Sequence, residues 1–489
     1  MKKLFLNFLY LLIVNFVIAQ STPPALNLIR TEDLNKDLYA FADAHFKGRS
    51  AGTLDELKAA MWLAEKYRAI GLQPAGDDGT YFQFFNLWRN HVSDRSTVKI
   101  NNTTLSLWKE VAVAQMANIS LNDRIVYLGS ALSIDTSLLD VKGKVVAIEA
   151  NAKGINLNVS LPTWRYNRYI LNLYGTPMMR KGAKAIIFIA DETGEQAWND
   201  AAENFKRGTY DIDGGPNENL ITTVPVLWLH ASAAREIRSG NATMNANIII
   251  SKFAYPSVNV VGVVPGSDAK LRSEYVLYSG HTDAHGIRNE IKNDSIYYGA
   301  DDNGSVDVAM LANARAFVKF PSKRSILFVI HGAEERGLLG SRYYSAHPTV
   351  PLQQIVAVLN GDMIGRNNND SAAILGVVPP HRNSADLVKM ALSANKEGPR
   401  FILDSSWDNP THIEGWYFRS DHLPYARLGI PSIMYTTLLH PDYHTPQDNA
   451  KNINYPKLKK MADWMYRTGW KVANAVARPA TDKKFTLER

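Results

Sequence analysis

The second half of the chain contains four short, mostly apolar runs that have the character of buried strands. They are YVLYSG (275–280), SILFVIH (325–331), IVAVLN (355–360) and PSIMYT (431–436). A helical pattern over residues 305–320 separates the first two runs. Buried strands that alternate with helices predict an α/β domain built around an open sheet. In such a sheet the loops at the carboxyl ends of the strands converge on a crevice, which is where ligands bind.

Residues that can bind a metal ion occur in one order along this half of the chain. They are His281 in SGHTDAHG, Asp301 in GADDNGS, Glu334-Glu335 in HGAEERG, Asp362 in NGDMIG and His444 in HPDYHTPQD. Three of these segments come just after a predicted strand. Mixed sets of histidines and carboxylates suit borderline-to-hard divalent ions such as Zn²⁺. Two histidines and three carboxylates suffice for two ions if one carboxylate bridges them, and one glutamate then remains to act as a base.

Taken alone, each of these residues has a simpler explanation. The two aspartates of GADDNGS can cap the helix that follows by accepting backbone N–H bonds. His285 competes with His281 as a ligand, and His440 competes with His444. The joint occurrence of the whole series, with most members close to strand ends, is what predicts a metal site.

The remaining segments indicate a flanking region and an insertion. Thr53-Leu-Asp-Glu56 is a capping box and predicts a helix that stops at Gly71. A run of short β-rich segments follows, namely VVAIEA (145–150), AIIFIA (185–190) and VPVLWLH (224–230). We therefore predict the first part of the main domain at 20–105, an inserted mixed β and α domain at 106–255, and the rest of the main domain at 256–480.

The N-terminus and the composition predict an exported protein. Residues 1–19 carry Lys2 and Lys3, a mostly apolar stretch, and the compact residues Val17 and Ala19, which is typical of a signal peptide cleaved after Ala19. The location is then periplasmic or secreted, with no stable membrane insertion after cleavage. Loss of the two lysines lowers the formal net charge from +7 to +5. The basic residues are scattered, so the sequence does not favour a nucleic-acid partner. The absence of cysteine excludes thiol catalysis and zinc held by cysteine.

These motifs resemble peptidase family M28, a group of dizinc aminopeptidase-like enzymes that also includes glutamate carboxypeptidases and glutaminyl cyclases. The resemblance covers residues 255–450 through the ligand series, and GRSAGT (48–53) with GLQPAGDDGTYFQ resembles the N-terminal flank of the same domain. DVKGKVVAI and RKGAKAIIFI resemble the protease-associated domain that is often inserted in this family. The implied fold is a mixed-sheet zinc-exopeptidase domain, a phosphorylase/hydrolase-like α/β sandwich, with an inserted β-rich domain.

The resemblance also implies a role for each residue and two Zn²⁺ per chain. Asp301 would bridge the two ions, with a cis peptide between Asp301 and Asp302. The ligands would be His281 and Asp362 at one ion, and Glu335 and His444 at the other. Glu334 would be the general base, Asp283 would orient His281, and Tyr417, close before the Ser420-Asp421-His422 block, would stabilise the oxyanion.

The sequence thus predicts an exported dizinc exopeptidase that removes N-terminal residues from peptides. One alternative is a glutamate-carboxypeptidase-like or glutaminyl-cyclase-like enzyme on the same fold. A carboxypeptidase would need a cationic pocket, for which Arg419 is the candidate residue. A more remote alternative is an inactive binding protein, which the complete set of ligands disfavours.

Overall fold

The structure, a computed structural model, describes residues 22–151, 162–219, 222–483, 485 and 487. The predicted signal peptide at 1–19 lies outside the described residues. The chain divides into two compact units, one formed by the chain up to Phe85 and from Pro256 onward, the other by Asn86–Tyr255. In the described part of the chain, no helix is both long enough and apolar enough to cross a membrane.

The described residues form the following strands and helices. The strands are β1 (Gln73–Pro74), β2 (Phe82–Val92), β3 (Thr97–Ile100), β4 (Thr103–Leu105), β5 (Val111–Gln115), β6 (Ile119–Ser130), β7 (Val145–Glu149), β8 (Ala185–Ile189), β9 (Thr209–Ile212), β10 (Val226–Leu229), β11 (Thr243–Ile248), β12 (Ile250–Val264), β13 (Tyr275–His281), β14 (Gly286–Ile291), β15 (Asp294–Tyr297), β16 (Ser325–His331), β17 (Ile355–Gly361), β18 (Ser371–Leu375), β19 (Ile402–Leu403) and β20 (Ser432–Thr436). The α-helices are α1 (Thr31–Phe41), α2 (Leu54–Ile70), α3 (Pro162–Ile170), α4 (Thr176–Arg180), α5 (Glu192–Gln196), α6 (Trp198–Arg207), α7 (Arg235–Arg238), α8 (Ser305–Lys319), α9 (Leu339–Ala346), α10 (Ala385–Glu397), α11 (His422–Arg427) and α12 (Tyr455–Asn474).

The first unit is built on a mixed sheet in the order β19-β18-β20-β17-β13-β16-β12-β2. Its centre is parallel, because β13 pairs in parallel with both β16 and β17, and β17 with β20. The chain runs from β13 to β16 on one side and then returns to β17 on the other. The point at which the strand order reverses therefore lies between β13 and β17, where a crevice is expected at the carboxyl ends.

Helices cover this sheet because its strands are apolar on both faces. All seven residues of β16 and of β17 are buried. The core includes a stacked pair of rings, Tyr278 and Phe328, whose centroids lie 5.2 Å apart, and the Tyr278 hydroxyl donates to the Met465 carbonyl of α12 at 2.8 Å. The four strand predictions, the helix at 305–320 and the α/β fold class are confirmed.

The predicted helix after Thr53 is confirmed as α2. The Thr53 hydroxyl accepts from the Glu56 backbone N–H at 3.4 Å, and Gly71 ends the helix with a φ of 102°. The Glu56 carboxylate accepts from the Gly52 N–H at 2.7 Å and from the Ser257 hydroxyl at 2.8 Å. The Glu56 carboxylate therefore also joins this helix to β12, a strand of the main sheet.

The second unit contains a sheet in the order β4-β3-β11-β6-β7-β8-β10-β5. Its four central strands, β6, β7, β8 and β10, are parallel. Apolar clusters lie on both faces, one around Val145 and Ile187, the other around Val146 and Phe188. The likeness of this unit to a protease-associated domain stays a prediction.

The predicted start of the insertion, residue 106, differs from the structure, in which the second unit starts at Asn86. The reason is strand pairing: β3 pairs with β11, and β4 pairs with β3. Residues 97–105 thus belong to the sheet of the second unit. The short length of these strands and their polar alternation left no composition change at residue 86 for sequence reasoning to detect.

Candidate metal centre

One group of possible ligands is formed by His281, Asp302 and Asp362. His281 is the last residue of β13, and Asp362 follows the last residue of β17, so both lie at the crevice where the strand order reverses. His281 Nε2 is 3.2 Å from Asp302 Oδ1 and 3.9 Å from Asp362 Oδ1. All three side chains are buried.

A second group is formed by His285, Glu335 and His444. His444 Nε2 is 3.3 Å from Glu335 Oε1, and His285 Nε2 is 3.4 Å from Glu335 Oε2. Asp302 connects the two groups, because its Oδ2 atom is 3.1 Å from His444 Nε2 while its Oδ1 atom faces His281. The predicted ligands His281, Glu335, Asp362 and His444 are thus brought together.

The aspartate that lies between the two groups is Asp302, and not Asp301, which the sequence predicted for the bridging position. Asp301 Oδ1 accepts from the Gly365 N–H at 2.6 Å, and its Oδ2 atom is 3.4 Å from His440 Nε2. The cis peptide accordingly joins Asp302 to Asn303, not Asp301 to Asp302. The sequence does not show which of two adjacent aspartates faces the ligand groups. Neighbouring side chains in a loop point in different directions, and those directions depend on the backbone conformation.

The loop that carries Asp302 is held from outside by Asp448. The Asp448 carboxylate accepts from the backbone N–H groups of Asp301 at 2.8 Å and Asp302 at 3.0 Å. At Gly299, with a φ of 58°, an added Cβ would lie 2.3 Å from the Asp302 carbonyl oxygen. Asp448 was missed by sequence reasoning, although it is the last residue of the HPDYHTPQD segment that supplied His444.

Arg49, from the GRSAGT segment, ties the same loop to the His281 loop. It is fully buried and donates to the carbonyls of Thr282 at 2.7 Å, Tyr298 at 2.7 Å and Gly299 at 2.9 Å. One guanidinium therefore fixes the backbone next to His281 and the backbone that leads to Asp302. The five donors of an arginine suit it to satisfying several buried carbonyls at once.

Asp283 contacts His281 and both glutamates. Its backbone carbonyl accepts from His281 Nδ1 at 3.1 Å, while its carboxylate Oδ1 atom lies 3.8 Å from that nitrogen. The carboxylate instead accepts from the N–H groups of Glu334 at 2.8 Å and Glu335 at 3.2 Å. The predicted orientation of His281 thus comes mainly from the carbonyl, and the carboxylate positions the two glutamates.

Glu334 lies beside the first group, with Oε2 3.7 Å from His281 Nε2. Burial raises the pKa of Glu334 well above its usual value, and repulsion from Asp362 and Asp421 acts in the same direction, against the charge of His281. Burial also raises the pKa of Asp283, to about 6. For Asp302 burial has the same tendency, but hydrogen bonds from His281 and His444 lower its pKa below the usual range. So many carboxyl groups in one dry crevice need cations to remain ionised.

The structure does not place Tyr417 at the ligand groups. Its side chain is fully buried and stacks on His381, with ring centroids 4.2 Å apart, and its hydroxyl has no hydrogen-bond partner among the described residues. Tyr443 is the tyrosine that lies beside the second ligand group, because its ring stacks on His444 with 3.6 Å between centroids. Burial raises the pKa of Tyr443 well above its usual value, so its hydroxyl keeps its proton at neutral pH.

The two remaining alternatives from the sequence lie outside both groups. His440 contacts Asp301 and neither His281 nor Glu335 in the described contacts. Arg419 Nη1 donates to Glu414 at 2.9 Å, and Nη2 donates to the Tyr443 hydroxyl at 3.0 Å. The Arg419 charge is therefore balanced by Glu414.

Comparison with known proteins connects this unit to one family. Residues 259–468 match peptidase family M28. Aminopeptidase YwaD of Bacillus subtilis (strain 168) is 29% identical over 193 residues, which are 38% of this chain and 40% of that protein. The chain therefore spans less than half the length of this curated relative.

Two solved structures share the fold. An aminopeptidase from Aneurinibacillus sp. strain AM-1 has a TM-score of 0.59 at 18% identity, covering 94% of this chain and 98% of that one. BSAP, a zinc aminopeptidase from Bacillus subtilis, has a TM-score of 0.58 at 18% identity, covering 92% and 97%. The part of the chain that matches peptidase family M28 lies in the unit that holds both ligand groups, and the two solved structures share the fold of the chain.

Proposed function

We propose that the chain is a zinc-dependent aminopeptidase that holds two ions and uses Glu334 as its general base. The observation that carries this proposal is the pair of ligand groups joined by Asp302, with Glu334 beside His281 at 3.7 Å. Two metal groups that share one carboxylate are suited to the hydrolysis of an acyl bond. The names of the relatives, aminopeptidase and zinc aminopeptidase, support the same reaction.

The residues present fit zinc. Each group combines imidazole nitrogens with carboxylate oxygens, a mixture that Zn²⁺ accepts and that the harder Mg²⁺ and Ca²⁺ do not prefer. The buried His281 Nε2 atom lies 3.2 Å from Asp302 Oδ1, and Glu335 Oε1 lies 3.3 Å from His444 Nε2, which is the spacing expected of two atoms that bind the same zinc ion. The first group would be held by His281 and Asp362, the second by Glu335 and His444, and Asp302 would belong to both.

Within this site the residues of the chain divide the reaction as follows. Zinc ions, when bound, supply a Lewis acid that polarises the scissile carbonyl and lowers the pKa of the attacking water. Glu334 accepts the proton of that water, and its raised pKa suits it to hold the proton and then to deliver it to the leaving amine. The protonated Tyr443 hydroxyl donates to the oxyanion as it develops. Asp283 keeps the Glu334 backbone in place throughout.

An aminopeptidase is favoured over a carboxypeptidase by the charge of the surrounding residues. A free substrate carboxylate needs an unbalanced cation, and Arg419 is balanced by Glu414. A free substrate amine needs a carboxylate, and the crevice is rich in these. Peptides with a free N-terminus are therefore the proposed substrates.

Export is a separate proposal that rests on residues 1–19. Expression of the whole chain in a bacterium with a signal peptidase should release a protein whose first residue is Gln20. The mass of the intact exported protein tests this directly, also where the N-terminal glutamine has cyclised to pyroglutamate. A mature protein that still begins at Met1 would contradict it.

The activity is tested with aminoacyl p-nitroanilides, with and without an N-acetyl group, on metal-analysed protein. We expect hydrolysis of the free-amine forms only, two zinc ions per chain, loss of activity with a chelator and recovery with zinc. Release of C-terminal residues would favour the carboxypeptidase alternative, and cyclisation of N-terminal glutamine with one zinc ion would favour the cyclase. Full zinc content with no turnover of any of these substrates would favour an inactive binding protein.

A further inference from the structure

We infer that His285 is a ligand of the ion held by Glu335 and His444, so that the two ions differ in kind. This inference deepens the proposed function and depends on its ions. The ion near His285 would have four protein ligands, namely His285, His444, Glu335 and the shared Asp302. The other would have three, namely His281, Asp362 and Asp302.

The distances support one ion among the four residues. Two ligands about 2.0–2.1 Å from a tetrahedral zinc ion lie about 3.3–3.4 Å from each other. The closest atoms are 3.4 Å apart for His285 and Glu335, 3.3 Å for His444 and Glu335, and 3.1 Å for His444 and Asp302. The rings of His285 and His444 are nearly perpendicular, at 88°, with centroids 3.9 Å apart, so the two imidazoles converge without stacking.

The backbone around His285 is fixed on both sides. The Ala284 N–H donates to the Arg49 carbonyl at 3.3 Å, and the Gly286 N–H donates to the Gly48 carbonyl at 2.9 Å. Gly286 has a φ of 76°, and a Cβ there would lie 2.7 Å from the Ser50 side chain. His285 itself is 8% exposed. The backbone on both sides of this buried imidazole is therefore fixed, which limits the directions in which its ring can point and keeps it near Glu335.

The difference in the number of ligands has a chemical consequence. Zinc with four protein ligands forms a closed site that serves structure, whereas zinc with three keeps a position open for chemistry. The group with three ligands is the one beside Glu334, the proposed base. The ion at His285 would therefore be the more tightly bound of the two and would stabilise the site. The ion at His281 would keep an open position for the reaction and would exchange more easily.

The alternative is that His285 only hydrogen-bonds to Glu335 and has no contact with an ion. Zinc retention separates the two cases. The full-length protein is loaded with zinc and dialysed against rising concentrations of a chelator, and zinc per chain is measured by mass spectrometry. The wild type should lose its ions in two steps, the first to about one zinc per chain.

His285→Ala should merge the two steps, because it lowers the affinity for the more tightly held ion. Loss of a residue that only supports a ligand costs about 10–100-fold in metal affinity, and loss of the ligand itself should cost at least as much. His440→Gln is the matched control, because His440 is also buried nearby but its side chain lies next to Asp301 and belongs to neither group of possible ligands. It should keep both steps. His285→Asp supplies an oxygen ligand in place of the imidazole and should recover part of the second step. Such a recovery would show that the loss of zinc in His285→Ala does not result from a folding defect.

The same proteins loaded with one equivalent of Co²⁺ give a second measurement. Absorption in the visible range is more intense for a four-coordinate ion than for a six-coordinate one, so His285→Ala should lower it while His440→Gln should not. Retention and absorption within about twofold of wild type in His285→Ala would overturn the inference. A wild type that holds two ions but hydrolyses no peptide would overturn the proposed function alone.

Discussion

In both units of the chain, polar residues lie at the carboxyl ends of parallel strands, but the contacts of these residues differ between the units. In the second unit three parallel strands end close to polar residues, and each of these has a local partner: Glu149 pairs with Arg238 at 2.7 Å, Asp191 accepts from the Tyr166 hydroxyl at 2.5 Å, and His230 lies 2.5 Å from Glu195. In the first unit the polar residues at the strand ends face one another across the crevice, with His281 3.9 Å from Asp362 and further buried carboxyl groups around them. Among the described residues, both groups of possible metal ligands lie in that unit.

This difference shows that position alone does not make a metal site. The carboxyl ends of parallel strands bring polar groups together in both units, as the sheet geometry requires. In the second unit hydrogen bonds and opposite charges satisfy those groups within the protein. In the first unit the charge is left unbalanced in a buried place, which is costly unless ions are bound. Substitutions of the buried groups of the first unit, each compared with a matched control substitution, test this difference.

The largest effect is expected at Asp302, which reaches both ligand groups. Asp302→Asn should lower zinc content from two ions to at most one and reduce hydrolysis to background, because the bridge loses a negative charge. Asp301→Asn should keep both ions, because an amide oxygen can still accept from the Gly365 N–H. Metal analysis and anilide hydrolysis of the pair measure this. The reverse result would restore Asp301 as the bridging residue.

A smaller but still large effect is expected at Glu334. Glu334→Gln removes the proton acceptor and should lower kcat by about 10²–10⁴-fold while leaving zinc content unchanged. Glu195→Gln in the second unit is the matched change, since Glu195 also lies next to a histidine but is hydrogen-bonded to it and to the Ala231 N–H. It should leave kcat unchanged and lower the unfolding free energy by about 1–2 kcal/mol. Equal activity of the two variants would exclude Glu334 as the base.

Much of the fold followed from the sequence, because strands with two buried faces are continuous apolar runs. The runs at 275–280, 325–331 and 355–360 each became a strand of the central sheet. The ends of these runs also located His281 and Asp362, since a residue next to a strand end has few places to point. These parts of the prediction depended on local pattern alone.

The errors arose where the answer depends on backbone direction or distant contacts. The choice between Asp301 and Asp302 is made by a loop whose N–H groups are held by Asp448, about 150 residues away in sequence. Tyr417 precedes the family block closely in sequence, yet its ring is packed on His381. The sequence presents His285 only as a competitor of His281, because a pattern of spacings does not show that both can belong to one centre.

A moderate effect is expected at Tyr443, the residue that replaces Tyr417 in the proposed site. Tyr443→Phe should lower kcat by about 10²-fold with little change in KM, as for the loss of one oxyanion donor. Tyr417→Phe should change kcat by less than about twofold, because a buried hydroxyl without a partner contributes little. Steady-state kinetics on one anilide compares them. A larger effect from Tyr417→Phe would return the oxyanion role to that residue.

The smallest effect is expected at His422, a buried group of the first unit that has no balancing charge. Burial, and then repulsion from His381, lowers the pKa of His422 to about 3. Because the unfolded chain binds a proton near the ordinary value of about 6.5 and the folded chain does not, stability is lost as the pH falls from about 6.5 toward about 3. Between pH about 6.5 and about 5 this amounts to about 1.5 kcal/mol. Urea unfolding with a chelator present, so that metal release does not contribute, should therefore show a weaker acid dependence in His422→Gln than in the wild type.

Tyr417→Phe, which alters a neighbouring ring but no group that titrates in acid, should keep the wild-type dependence. Parallel curves for all three proteins would mean that His422 gains a proton in the folded state, and that this part of the first unit is balanced in the way the strand ends of the second unit are.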